Sequence, residues 1–258
     1  MTLKAIAASF PQPSDADLNM NDIAFWIDNK DHLQLFQGMV SIRQIYDAAI
    51  RETITKLEIL NSEFQARYDH NPIHHITSRL KTPRSMLRKL KERDCELSIA
   101  SAINNLTDIA GVRVVCCYLD DVYRVAELLL RQGDISLIQR KDYIKNPKDN
   151  GYRSLHLVIS LPVFLAESAE RVPVEIQIRT EAMDFWASLE HQLRYKNDHA
   201  IDPDVHDELL ACSVAVRELD EKMQSLHDKI MRSRRAEDSA VGYKVSLNSN
   251  AGTTAIAT

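Results

Sequence analysis

The chain has 258 residues, of which 45% are hydrophobic and 27% charged, and a formal net charge of −5. Such a length and mix build a sizeable core, as one large domain or one domain with helical extensions. They exclude a generic polyanion binder and, with no apolar run near the ~20 residues that a bilayer span needs, a membrane-spanning helix.

Residues 1–20, with Pro11, Pro13 and several small polar residues, read as a mobile leader. They contain one lysine and no sustained apolar stretch, so a secretory signal is not expected. A helical region is expected over 21–69. In it Ile42, Tyr46, Ile50, Ile54, Leu57, Leu60 and Phe64 recur at steps of three or four and form one apolar stripe. Asn71 and Pro72 break that pattern.

A mixed core is expected over 70–200. Thr82 and Pro83 start a helix over 84–91, with proline in the first turn. The β-branched run GVRVVCCY at 111–118 predicts a strand, followed by a short helix over 120–130. Strands over 136–140 and 154–159 flank the polar loop KDYIKNPKDNGY, and 174–179 is the cleanest strand, with strict alternation. A helix over 182–195 follows directly. The region 201–237 is again helical, with Leu209, Cys212, Val216, Leu219, Met223, Leu226 and Ile230 at heptad-like spacing, which suits a coiled-coil seam or one long helix on the core. Residues 238–258 are small and polar, and a disordered tail is expected there. Cys95, Cys116, Cys117 and Cys212 show no CxxC or Cys/His spacing for zinc, so a reducing cytoplasm is the expected location.

Six glycines are too few for a glycine-rich phosphate cradle, and neither GxxxxGK[ST] nor GxGxxG occurs. A nucleotide would have to be gripped by side-chain cations. Between Arg79 and Arg93 stand seven cations with Glu92 as the only acid. On a helix, Ser85 and Lys89 lie one turn apart, with Lys81 just ahead on the same side, a ladder for successive phosphates at a helix N-terminus. A solvated helix face would carry the same charges. In VEIQIR, Val174, Ile176 and Ile178 face a core while Glu175, Gln177 and Arg179 share the other face, as they would on a surface strand. Asp108 precedes the strand at 111–118. Two carboxylates at strand ends can share Mg²⁺ when the strands are neighbours, an adjacency the sequence does not show. In KDNGYRSLH, Tyr152, Ser154 and His156 share one strand face after Gly151, where an aromatic ring could stack on a base or simply be half-buried.

Taken in order, RLKTPRSMLRK, LTDIAGVRVVC, KDNGYRSLH and EIQIRTEAMDFWASLEHQLRYK resemble the RelA/SpoT-type alarmone synthetase domain, over about residues 70–196. The shortness of the chain is similar to that of the small stand-alone (p)ppGpp synthetases. The resemblance implies an α+β fold: a mixed β-sheet flanked by helices, nucleotidyltransferase-like, with N- and C-terminal helical extensions. It implies transfer of pyrophosphate from ATP to the ribose 3′-hydroxyl of GTP or GDP, with Mg²⁺ as cofactor. Arg79 and Arg113 would flank adenine, and Lys81, Ser85 and Lys89 would hold the ATP phosphates. Asp108 and Glu175 would hold the metal, with Glu175 also taking the hydroxyl proton. Tyr152 would stack on guanine, Lys148, Asn150 and His156 would contact the acceptor's ribose and phosphates, Gln177 would orient it, and Asp184 would read the guanine edge. Glu92 stands where some relatives carry an arginine.

Alternatives stay open at this stage. Some relatives use an adenine nucleotide or the 3′ end of tRNA as acceptor, which a nucleotide panel would separate. A non-catalytic nucleotide- or RNA-binding module on the same fold would not need both Asp108 and Glu175. Fewer than about 80 residues precede Arg79, below the size of an added domain, so an upstream hydrolase domain is not expected. The doublets His206-Asp207 and His227-Asp228 are expected to serve helix packing or the surface. The terminal apolar stripes, with the resemblance, imply a homo-oligomer, a tetramer in small family members; regulatory binding of an alarmone or single-stranded RNA remains open, and no membrane partner is expected.

Overall fold

The computed structural model describes residues 30–196 and 203–250, with the side chains of 42–193 and 204–234. In chain order the elements are α1 (Lys30–Arg67), β1 (Ile73–Leu80), α2 (Pro83–Glu92), α3 (Ile99–Asn105), β2 (Ala110–Cys116), α4 (Leu119–Leu130), β3 (Ser136–Asp142), β4 (Leu155–Phe164), β5 (Ala169–Thr180), α5 (Glu181–Lys196) and α6 (Pro203–Asn250). The strands form one mixed sheet in the order β1-β2-β5-β4-β3. Only β2 and β5 run parallel; the other three pairings are antiparallel.

Period-two alternation sorts the two central strands by face. Val112, Val114, Val174, Ile176 and Ile178 are buried in a core with Ile50 and Leu57 of α1 and Val122, Val125 and Leu129 of α4. Those two helices therefore cover one face of the sheet, and the non-directional burial of these aliphatic groups is the main force holding the layers together. The opposite face presents Gly111, Arg113, Glu175, Gln177 and Arg179, and α5 folds back over it. A strand polar on one face is thus not a solvent-exposed strand here: Arg179 is only 2% exposed.

The helix over 84–91 begins one residue earlier, with Pro83 in the first turn and Thr82 as cap, its hydroxyl accepting from the Ser85 N–H at 3.3 Å. Two elements have no counterpart in the sequence reading, β1 and α3. The first is an edge strand whose burial pattern lacks clean alternation, and the second is only 7 residues long; neither offers a strong periodic signal. β2 ends at Cys116, so Cys117 and Tyr118 fall outside the strand, and Tyr152 and Ser154 lie in the segment leading into β4. β5 extends back to Ala169 through Pro173. Proline is tolerated there because pairing with β2 starts only at Val174, so that stretch is bonded on one side.

At the C-terminus, α6 runs to Asn250, through 238–250 where composition predicts disorder. An established helix propagates at one bond per added residue, which a composition rule does not register. The expected leader 1–20 and residues 251–258 lie outside the described residues. α6 is tied to the core at several points. Thr180 Oγ1 donates to Asp220 at 2.8 Å, Trp186 Nε1 donates to the Leu209 carbonyl at 3.0 Å, and the His227 ring stacks on Tyr118 with centroids 4.1 Å apart. Of the His227-Asp228 doublet, His227 packs the helix on the core, while Asp228 accepts from Gln224 of the same helix at 2.9 Å.

Candidate active site

The parallel pairing of β2 with β5 sets Gly111 opposite Glu175 and Arg113 opposite Gln177. On the flanks, Arg79 of β1 stands opposite Gly111, and His156 of β4 opposite Gln177. Two adjacent rows, Arg79–Gly111–Glu175 and Arg113–Gln177–His156, therefore form a double row across four strands with these side chains on the same face. The Arg79 side chain lies against Gly111, its Cγ in ordinary contact distance, 3.6 Å, of where a Cβ would stand.

Asp108 enters this row from the loop before β2. Its Oδ2 accepts from Lys81 Nζ at 2.6 Å and from Lys89 Nζ at 2.7 Å. The lysine ladder read from the sequence thus converges on one carboxylate, with Ser85 at the capped start of the same helix. Burial would raise the Asp108 carboxyl, but the two ammonium groups outweigh it and hold it below the usual carboxylate range. For Lys81 burial wins, and its ammonium is lowered despite Asp108.

Glu175 has a different environment. Its Oε1 lies 3.3 Å from His156 Nδ1, and its Oε2 accepts from Gln177 Nε2 at 3.1 Å. Burial raises its carboxyl and the negative charge of Asp108 adds to that, yet the bond to His156 and the Gln177 amide leave it net lowered. Asp108 and Glu175 are thus close enough to sense each other's charge, the adjacency that the sequence leaves open. Asp108 Oδ1 is buried and has no hydrogen-bond partner. Among the described residues no three His, Cys, Asp or Glu side chains converge as a ready metal cage. Two carboxylates, one with an orphaned oxygen, fit Mg²⁺, which takes one or two carboxylates and completes its shell from water and substrate phosphates.

Beyond His156 the row reaches an aromatic corner. Tyr152 Oη and His156 Nε2 are 2.9 Å apart, and Lys148 Nζ lies 4.8 Å from the Tyr143 ring centroid and 4.9 Å from that of Tyr152. Burial raises the Tyr152 hydroxyl, so it stays protonated at neutral pH.

Two of the residues read from the sequence also bond within the protein. Asn150, expected to contact the acceptor, turns its amide inward: Nδ2 donates to Glu190 Oε1 at 3.0 Å and Oδ1 accepts from the Tyr152 N–H at 3.2 Å. The turn it occupies brings this half-buried amide next to those two groups, and it bonds both. Asp184 sits between two guanidinium groups, its Oδ1 3.3 Å from Arg113 Nη1 and 3.1 Å from Arg179 Nε. Glu92 pairs with Arg88 on the exposed side of α2 at 3.6 Å, away from this row.

Arg179, Glu190 and Ser213 carry weight at this site without having been given a role from the sequence. Arg179 shares the alternation of Glu175 and Gln177, a signal that was legible. Glu190 and Ser213 come from helices far along the chain, and no local pattern marks them.

The chain is similar to known proteins in both sequence and fold. A family model described as a region found in RelA / SpoT proteins matches residues 78–200. The GTP pyrophosphokinase YwaC of Bacillus subtilis is 41% identical over 186 residues, 72% of this chain and 89% of that protein. The GTP pyrophosphokinase YjbM of the same organism is 36% identical over 191 residues, 74% of this chain and 89% of its own length. The crystal structure of small alarmone synthetase 1 from Bacillus subtilis, bound to its product pppGpp, superposes with a TM-score of 0.67 at 36% identity, covering 72% of this chain and 94% of that one.

Proposed function

The chain belongs to the RelA/SpoT family, and from that premise we propose that it is a small alarmone synthetase, a GTP pyrophosphokinase. It transfers the β,γ-pyrophosphate of ATP to the ribose 3′-hydroxyl of GTP or GDP and releases AMP. One observation carries this reading: the parallel pairing of β2 with β5 sets Asp108, two residues ahead of Ala110, at the same end of that pairing as Glu175, between a cluster of cations and an aromatic corner.

The reaction asks for positioning and charge neutralisation more than for covalent chemistry by the protein. Lys81, Lys89 and the N-terminal turn of α2 with Ser85 would take the ATP phosphates, where the helix dipole also favours anions. Arg79 and Arg113 would sandwich adenine, since guanidinium planes stack on π faces while staying charged. Tyr152 would stack on guanine, with Lys148 and His156 toward the acceptor's phosphates and ribose, and Gln177 orienting it. Asp108 and Glu175 would hold Mg²⁺, which when bound supplies neutralising charge at the phosphates. Glu175, ionised at neutral pH, would accept the proton of the 3′-hydroxyl as that oxygen attacks the β-phosphorus in line and AMP departs. For Asp184, the pairs with Arg113 and Arg179 support a role in setting the guanidinium that flanks adenine, in addition to reading the guanine edge.

Among the described residues no helix is long and apolar enough to cross a membrane. Exposed apolar residues on α5 and α6, among them Phe185, Leu219, Met223 and Ile230, support a homo-oligomer, which we place at a tetramer in the cytoplasm. The deciding test is labelled ATP with Mg²⁺ and with GTP, GDP, ATP or RNA as separate acceptors. AMP release with GTP or GDP alone is expected; release only with adenine nucleotides or RNA, or none at all, would overturn the assignment.

A further inference from the structure

The loop at 148–152 holds the aromatic corner, and its own bonds do not account for how it is fixed. The Gly151 N–H donates to the Lys148 carbonyl at 2.7 Å, and the Lys148 N–H to the Tyr152 carbonyl at 3.2 Å, which closes a tight turn. Gly151 has φ of +85°, a conformation that favours glycine. Two helices then grip this turn from outside the sheet. Ser213 of α6 donates its hydroxyl to the Gly151 carbonyl at 2.5 Å and is itself buried. Glu190 of α5, also buried, accepts from Asn150 Nδ2 at 3.0 Å. The fit is close: a Cβ on Gly151 would lie 2.7 Å from Ser213 Cβ and 3.2 Å from Leu210 Cδ1.

We propose that Ser213 and Glu190 are positioning residues for the acceptor nucleotide, locking the 148–152 turn so that Tyr152 and Lys148 present a preformed pocket. Neither reaches the reacting atoms. Ser213 fixes the carbonyl side of the turn, and Glu190 fixes Asn150, whose other end holds the Tyr152 N–H. Tyr152 and Lys148 thereby inherit their placement from α5 and α6. A loose turn would have to be ordered on binding, and that cost falls on acceptor affinity alone. The cations assigned to the ATP phosphates, Lys81 and Lys89, bond Asp108 and share none of these contacts.

This inference rests on the pyrophosphokinase reading, and the test separates the two. Wild-type enzyme with ATP, GTP and Mg²⁺ is assayed first; absence of AMP would end the functional reading, not the role of the clamp. The clamp is tested independently by amide exchange at Gly151 and Tyr152 in Ser213→Ala and Glu190→Ala. Faster exchange confined to 148–152 is expected, and unchanged exchange would overturn the proposal. In steady-state kinetics, KM for GTP should rise about three- to tenfold in each variant, the range of a typical net hydrogen bond. KM for ATP and kcat should stay within about twofold, a difference that falls inside that same bond's lower limit. Glu190→Gln keeps an acceptor oxygen for Asn150 and should restore the wild-type KM. Equal rises in both KM values, or a loss that Glu190→Gln does not repair, would show general structural damage and refute positioning.

Discussion

Replacing Glu175 with glutamine removes one charge and little else. The side chain keeps its length and one acceptor oxygen, so either the contact to His156 (3.3 Å) or the bond from Gln177 (3.1 Å) can survive. Its carboxyl is held below the usual range, so at neutral pH the ionised form is the one the fold favours. A group with a lowered folded value contributes stability above its unfolded value and loses it as pH falls through the folded one. Glu175→Gln should therefore cost a few degrees of Tm at pH 7 at most and flatten the acid limb of the stability curve below about pH 4.5, the ordinary carboxylate region. Turnover should fall much further. General-base catalysis contributes at least about a hundredfold, equivalent to about 2.7 kcal/mol of barrier. The assay is single-turnover AMP formation at saturating ATP, GTP and Mg²⁺, with a thermal melt of the same sample. Wild-type rates from folded Glu175→Gln protein would refute the assignment of the base, and a collapse of Tm would show that the charge is structural.

Asp108→Asn should raise the Mg²⁺ concentration for half-maximal turnover by about tenfold or more, the scale of losing support at a metal site; an unchanged Mg²⁺ titration would remove Asp108 from the ion. Asp184→Ala should weaken discrimination between guanine and adenine acceptors and, by releasing Arg113, raise KM for ATP; unaltered values of both would strip Asp184 of either role. Burial raises the carboxyl of Asp220 although Thr180 donates to it. Its charge is therefore disfavoured in the fold, so Asp220→Asn should raise Tm at pH 7 by roughly a degree or two. That gain should vanish at low pH, where the wild-type group is protonated as well; a lower Tm at pH 7 would contradict the sign.

Much of this molecule was legible from one sequence because its signals are local. Strict alternation in VEIQIR put Glu175 and Gln177 on one face, the Thr82-Pro83 start placed α2, and the spacing of Lys81 and Lys89 put both on one side of it; each depends only on backbone geometry within a few residues. The chain by itself also carried the family resemblance, since ordered motifs persist whatever surrounds them. What it left open were questions of strand adjacency and long-range contact. Only the parallel pairing of β2 with β5 brought Asp108 within electrostatic reach of Glu175, only the return of α5 over the sheet turned Arg179 from a surface cation into a buried partner of Asp184, and only α5 and α6 gave Asn150 and Gly151 their holders from far along the chain. Pairing between distant strands and helices is selected by the total burial and hydrogen bonding of the folded chain, which no window of neighbouring residues contains.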